Sequence, residues 1–222
     1  MGSYDDVASE YYDAELHPTC ADFRAASRVF LQTFFSKEKP QGRIADVGCG
    51  LSLLNGFVHE NLVLVDSSIR MLRRNVGPAE KRLVNVEEKG FGSSEFDWVF
   101  AILADPFNSI PAWKNIREAL RERGRGVFIV PSYCWVSKFR SRVPEERPRL
   151  ARFVRADKSS VFLPSIVYSR AEQSALIESG GMLLTDFEQV FVRELSQISS
   201  FKISEFLLEN DAILDVYCVE KV

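Results

Sequence analysis

Histidine is nearly missing from this chain: His17 and His59 are the two among 222 residues. Its four cysteines, Cys20, Cys49, Cys134 and Cys218, lie far apart with no CxxC pair. That spacing argues against a zinc cluster and against a disulfide framework, and free thiols are the expected state. A surplus of positive charge is also lacking, with 28 Lys and Arg against 31 Asp and Glu and a net charge of −3. Nothing global therefore recommends a nucleic acid as partner. No apolar run approaches the roughly 18 residues of a membrane span. The opening stretch MGSYDDVASEYYDAEL is acidic where a secretion signal would be basic and then apolar. A cytoplasmic protein without membrane attachment is the expectation.

What is present is core material. Hydrophobic residues make up 46% and aromatic residues 12% of the chain, enough for one globular domain over residues 1–222. Apolar residues at Phe23, Ala26, Phe30 and Phe34 recur at helical spacing and predict a helix over residues 21–35. RIADV and LVLV are short apolar runs ending at turn residues, the pattern of buried parallel strands. Between them a short helix is expected over residues 51–59, and another follows over 68–75. Strands over 83–86, 98–103 and 126–130 alternate with a helix over 111–121, and such alternation means a doubly wound α/β sheet. Residues 132–160 turn irregular, proline-bearing and charged, and read as an insertion of short helices. A helix over 170–179, stopped by Gly180 and Gly181, a strand over 182–191, a helix over 204–209 and a closing strand over 212–219 complete the pattern.

The strongest local signal is Asp46-Val47-Gly48-Cys49-Gly50, placed after an apolar strand, where glycines let backbone approach a ligand closely. Sixteen residues beyond Gly50, Asp66 ends the second strand, where a carboxylate can accept hydrogen bonds from both ribose hydroxyls of a nucleoside. Asp66-Ser67-Ser68 is equally good helix-capping chemistry, and the two roles are compatible. A dinucleotide enzyme would favour Gly-x-Gly-x-x-Gly, and here Leu53 stands three residues after Gly50. The acidic Asp46 also suits a cationic ligand better than a diphosphate.

With these residues in order, the sequence resembles the class I S-adenosylmethionine-dependent methyltransferases of small-molecule type. The matching segments are RIADVGCG, LVLVDSSIRML, EFDWVFAIL and LRERGRGVFIVPS, spread over residues 43–131. YDDVASEYYD is similar to the segment that precedes the core in such enzymes and folds over the cofactor. The resemblance implies a Rossmann-like doubly wound sheet, mostly parallel with an antiparallel last strand and helices on both faces. It implies a helical cap over residues 1–40, a substrate-side insertion over 132–160, and S-adenosylmethionine as cofactor with S-adenosylhomocysteine as product. The implied cofactor contacts are Tyr11, Asp46, Gly48, Cys49, Gly50, Asp66, Ser67, Met71, Asn85, Val86, Ala101 and Ile102. The loop departs from the family in lacking a third glycine near Ser52, and Asn85 stands where Asp is frequent.

Methyl transfer from a sulfonium needs the acceptor held in line and water excluded. If the acceptor carries a proton, a base must take it, and two residues are candidates. His17, in LHPTC, belongs to the covering segment; Asp105, in ADPFN, lies just beyond a strand end. ADPFN lacks the second proline of the Asn/Asp-Pro-Pro-Tyr signature of amino-group methyltransferases. Methyl transfer needs no thiol nucleophile, which leaves Cys20 and Cys49 noncatalytic. Residues 138–158 hold eight basic side chains against three acidic ones, a run that is a solvated face or a counter-charge for an anionic acceptor. The expected function is methylation of a small-molecule acceptor. Two rivals stay open: a catalytically silent S-adenosylmethionine-binding regulator, and an RNA methyltransferase using the basic run.

Overall fold

The computed structural model describes residues 4–143, 147 and 149–222. Pro144, Glu145, Glu146 and Pro148 of the expected insertion, and Met1–Ser3 of the expected cap, lie outside the described residues. A short helix α1 (Tyr4–Val7) leads into α2 (Pro18–Glu38), which starts with proline at its first turn. There follow β1 (Ile44–Val47), β2 (Leu62–Asp66), α3 (Ile69–Arg74), β3 (Glu80–Leu83), β4 (Phe96–Ile102), α4 (Ile110–Ala119) and β5 (Leu120–Pro131). Then come α5 (Tyr133–Arg142), β6 (Leu150–Val154), β7 (Ser160–Pro164), α6 (Arg170–Ser179), β8 (Met182–Phe191), α7 (Phe201–Ser204) and β9 (Ala212–Lys221).

Seven strands form one sheet in the order β3-β2-β1-β4-β5-β9-β8. Pairing is parallel from β3 through β5, with Ile44 opposite both Leu62 and Trp98. Strand β9 runs antiparallel to β5 on one side and to β8 on the other. The expected doubly wound sheet with an antiparallel last strand is therefore the observed one, and that strand sits inside the sheet rather than at its edge. β1 and β2 are buried at every position because helices cover both faces. One face packs Phe30 and Phe34 of α2 with Trp135 and Phe139 of α5; the other packs Trp113 and Ile116 of α4 with Ile177 of α6.

Four local expectations are corrected. Residues 51–59 hold only a 3-10 turn at Leu54–Gly56. The third strand begins at Glu80, three residues before the apolar run LVNV, because an edge strand needs no buried face. Its Arg82 and the neighbouring Arg43 pair with Glu80 and Glu95. The run itself leaves the sheet at Asn85, whose Oδ1 accepts the Glu87 N–H in a local turn. The insertion is α5 followed by a hairpin rather than short helices: β6 and β7 pair antiparallel, with Phe153 opposite Val161. Finally, the helix expected over 204–209 ends at Ser204, because Phe201–Ser204 starts earlier on Ser200.

Candidate functional site

The site lies at the carboxyl ends of β1, β2 and β4, where a doubly wound sheet opens to ligands. β1 stops at Val47, and Gly48 and Gly50 follow with φ of 64° and 48°, a region that favours glycine. Their missing side chains admit the protein's own neighbours. A Cβ on Gly48 would collide with the Phe107 ring, and one on Gly50 with the Tyr12 hydroxyl.

Asp66 ties the two strand ends together. Its Oδ2 accepts the Gly50 N–H at 2.8 Å and its Oδ1 accepts the Ser68 N–H at 2.8 Å. Burial raises its pKa, and those backbone donors counter the rise. Asn75, at the end of α3, braces the same loop by accepting the Ser52 N–H at 2.9 Å and donating to the Gly50 carbonyl. Asp46 is buried one residue before the loop, with Oδ2 accepting the Ser52 hydroxyl and Oδ1 without a hydrogen-bond partner. Burial pushes its pKa up to about 7; the Ser52 hydroxyl works against that and the nearby Asp66 adds to it.

Two cavities meet above this loop. The first is lined by Tyr12, Gly48, Cys49, Gly50, Asp66, Ser67, Met71, Ile102 and Phe107, together with Arg24. Tyr12 covers it, its hydroxyl accepting the Leu51 N–H at 2.5 Å and its ring lying 4.6 Å from the Arg24 guanidinium carbon. The second encloses about 370 Å³ among His17, Phe23, Asp105, Trp135, Phe139 and the hairpin residues Phe153 and Leu163. Tyr4, Tyr11, Cys20 and Leu103 line both. Leu103 holds a left-handed φ of 55° at this junction, a strained setting for a branched residue.

Asp105 lines the second cavity next to the junction. Burial pushes its carboxyl up to about 6, against the Ser165 hydroxyl that bonds to it and the Arg140 charge. Arg140 in turn donates to both the carbonyl and the hydroxyl of Ser165. His17 stacks on Phe153 with ring centroids 3.8 Å apart, and its Nε2 is buried without a hydrogen-bond partner. Burial lowers its pKa, more than Glu10 and Asp13 raise it. Desolvation pushes the Cys20 thiol up to about 11 and raises Cys49 as well, so both are protonated at neutral pH.

Of the residues expected to touch a cofactor, Tyr11, Gly48, Cys49, Gly50, Asp66, Ser67, Met71 and Ile102 line the first cavity. Four do not. Asp46 lies beneath the loop and reaches it through Ser52. Asn85 donates to Glu88 at 2.9 Å, Val86 is packed in the core with its carbonyl bonded to Asn115, and Ala101 is buried in β4. Asn85 and Val86 lie off the cavity because β3 ends before them. Sequence reading missed Arg24, Asn75, Phe107 and the hairpin. Arg24 sits four residues after Cys20, so one face of α2 presents both to the site, a signal the helical spacing carried.

Sheet order and site position together define the class I S-adenosylmethionine-dependent methyltransferase fold. Solved structures similar to the chain include an S-adenosylmethionine-dependent methyltransferase from Clostridium acetobutylicum, with TM-score 0.65 and 13% identity over 98% of each chain. Another, DhpI in complex with SAM and HEP, has TM-score 0.67 and 18% identity over 99% of this chain and 94% of its own. A third is the Burkholderia thailandensis 1,6-didemethyltoxoflavin-N1-methyltransferase with bound 1,6-didemethyltoxoflavin and S-adenosylhomocysteine. Its TM-score is 0.56, with 14% identity over 98% of this chain and 86% of its own. No protein-family model and no curated protein matches the chain.

Proposed function

We propose that the protein is an enzyme that transfers a methyl group from S-adenosylmethionine to a small-molecule acceptor. The observation that carries this reading is the junction: a cavity built on the glycine loop and Asp66 runs into a second, larger one through Tyr4, Tyr11, Cys20 and Leu103. The first cavity has the chemistry the cofactor needs. Asp66 keeps lone pairs for ribose hydroxyls beyond its backbone donors, and Tyr11 brings an aromatic ring to the junction for a cation. Its open space is about 90 Å³, less than the ~150 Å³ that takes a benzene molecule. An adenosyl group therefore needs the side chains seated on the loop, Phe107 at Gly48 and Tyr12 at Gly50, to make room.

The cofactor supplies a methyl group on a positively charged sulfur. The chain holds an acceptor at the junction, keeps water out with aromatic walls, and takes the acceptor's proton on Asp105. The basic run does not favour RNA as acceptor, since much of it is bonded within the protein. Arg155 pairs with Glu10, Lys138 with Asp211, and Arg149 donates to Tyr168.

Calorimetric titration with S-adenosylhomocysteine tests the reading. The wild type should bind, and Asp66→Ala should bind roughly 1–3 kcal/mol more weakly through lost hydrogen bonds. Equal affinity of the two would remove Asp66 from the site, and cofactor binding without release of S-adenosylhomocysteine on any metabolite pool would leave a silent binder.

A further inference from the structure

The second cavity identifies what kind of acceptor fits, an inference that rests on the methyltransferase reading. Four rings, Phe23, Trp135, Phe139 and Phe153, line it, closed by Leu163. Its rim includes Leu16, Val154 and Phe201, three large apolar side chains left exposed, so the apolar lining continues to the opening. Exposed apolar residues gathered around one opening mark a ligand entrance more often than chance does. The space of about 370 Å³ is more than twice the ~150 Å³ that takes one benzene ring.

Polar groups interrupt the rings, but several are bonded to one another: Thr19 with Ser200 at 2.6 Å, and Ser165 with Arg140. His17 adds its ring to the wall, stacked on Phe153 with centroids 3.8 Å apart, and its buried Nε2 has no partner in the protein. Asp105 stands at the end facing the junction, where its negative charge repels an anion and attracts an O–H. The lining also holds two cations, Arg152, whose Nε donates to Ser160, and Lys202, whose ammonium lies 5.2 Å from the centre of the Phe139 ring.

We propose that the acceptor is an apolar compound of about two fused rings that enters uncharged through the rim of Leu16, Val154 and Phe201 and is methylated on a ring hydroxyl. The hydroxyl oxygen forms the new O–C bond with a lone pair, and the S–C bond breaks with its electron pair going to sulfur. The hydroxyl proton passes to the Asp105 carboxylate. One S-adenosylmethionine becomes one S-adenosylhomocysteine and no oxidant is needed. The stacked His17 and Phe153 rings form a flat wall for the acceptor's own rings.

The probes are 2-naphthol, 2-naphthoate and 2-naphthyl phosphate, with binding read from Trp135 quenching and turnover from S-adenosylhomocysteine release. The expected result is saturable binding and turnover of 2-naphthol, with the two anions at least tenfold weaker. Ala151→Phe, which fills the cavity from the hairpin without adding a fluorophore of the kind read, should weaken 2-naphthol at least tenfold and leave S-adenosylhomocysteine affinity within twofold. Tighter binding of either anion, or no saturable 2-naphthol binding by protein that binds S-adenosylhomocysteine, overturns the proposal. Absence of S-adenosylhomocysteine binding would instead defeat the methyltransferase reading, while the fluorescence titration still reports whether the cavity takes 2-naphthol.

Discussion

Asp105 and Asp46 are both carboxylates at strand ends that burial holds partly protonated, and they lead to different tests. A base works only when deprotonated, so Asp105 at about 6 predicts a rate that falls as pH drops through that value. The expected profile of kcat/KM declines about tenfold per unit below pH 6 and is level above it. Asp105→Asn should lower kcat by about 10²–10⁴-fold and abolish that limb. For Asp46 the consequence is stability. Its folded pKa of about 7 lies above its ordinary value of 3.8, so between those values the folded state binds more protons than the unfolded state. Stability is then greatest below the lower value and declines as pH rises toward 7. Asp46→Asn should raise Tm more at pH 8 than at pH 4, by thermal denaturation of the cofactor-free protein; equal shifts would show that the Oδ1 atom is not desolvated. Both residues were read from the sequence, Asp46 as an acid opening the cofactor loop and Asp105 as a candidate base beyond a strand end. Their burial was not legible, because one packs under the loop against Ser52 and the other lines a cavity whose far wall is more than 40 residues away in the chain.

At the scale of elements, the covering parts are joined to each other rather than only to the sheet. Glu10, in the segment before α2, pairs with Arg155 at 3.2 Å and accepts the Ala156 N–H at 2.8 Å, both just beyond β6. Glu10→Ala should therefore loosen the N-terminal segment and the hairpin together. The pair is partly exposed at Arg155 and largely covered at Glu10, so the global cost should be on the order of 1 kcal/mol; amide exchange should quicken in both segments and acceptor KM should rise. Exchange confined to one of them would show that they move independently. The helix over 170–179 and the strand over 182–191 were readable residue for residue, because the Ser169 capping box and the glycine pair mark the boundaries. The hairpin was hidden by composition: its arginines and its neighbouring prolines drew attention, while the period-two pattern of Ala151 and Phe153 against Val161 and Leu163 went unweighted.

Over the whole molecule, the sheet and the loop cavity were legible because they obey local rules: apolar strands, a glycine turn, an acid at the next strand end. The second cavity was not, since its walls come from α2, α5, the hairpin and α7, and no local pattern records that meeting. The central position of β9 has its own test. Val216 stands opposite Ile129 on one side and Glu188 on the other. Val216→Pro should cost at least about 3 kcal/mol through a lost ladder bond and steric conflict, seen as loss of the cooperative thermal transition.

The same strand imposes a timetable on synthesis. β9 leaves the ribosome after both of its neighbours, so until then the β5 edge is bare and β8 has no strand to join. Until residues 212–221 arrive, the nascent chain exposes two hydrogen-bonding margins of the kind that recruit foreign strands. Slowing translation just upstream of β9 should lower the soluble yield, and supplying a chaperone should restore it.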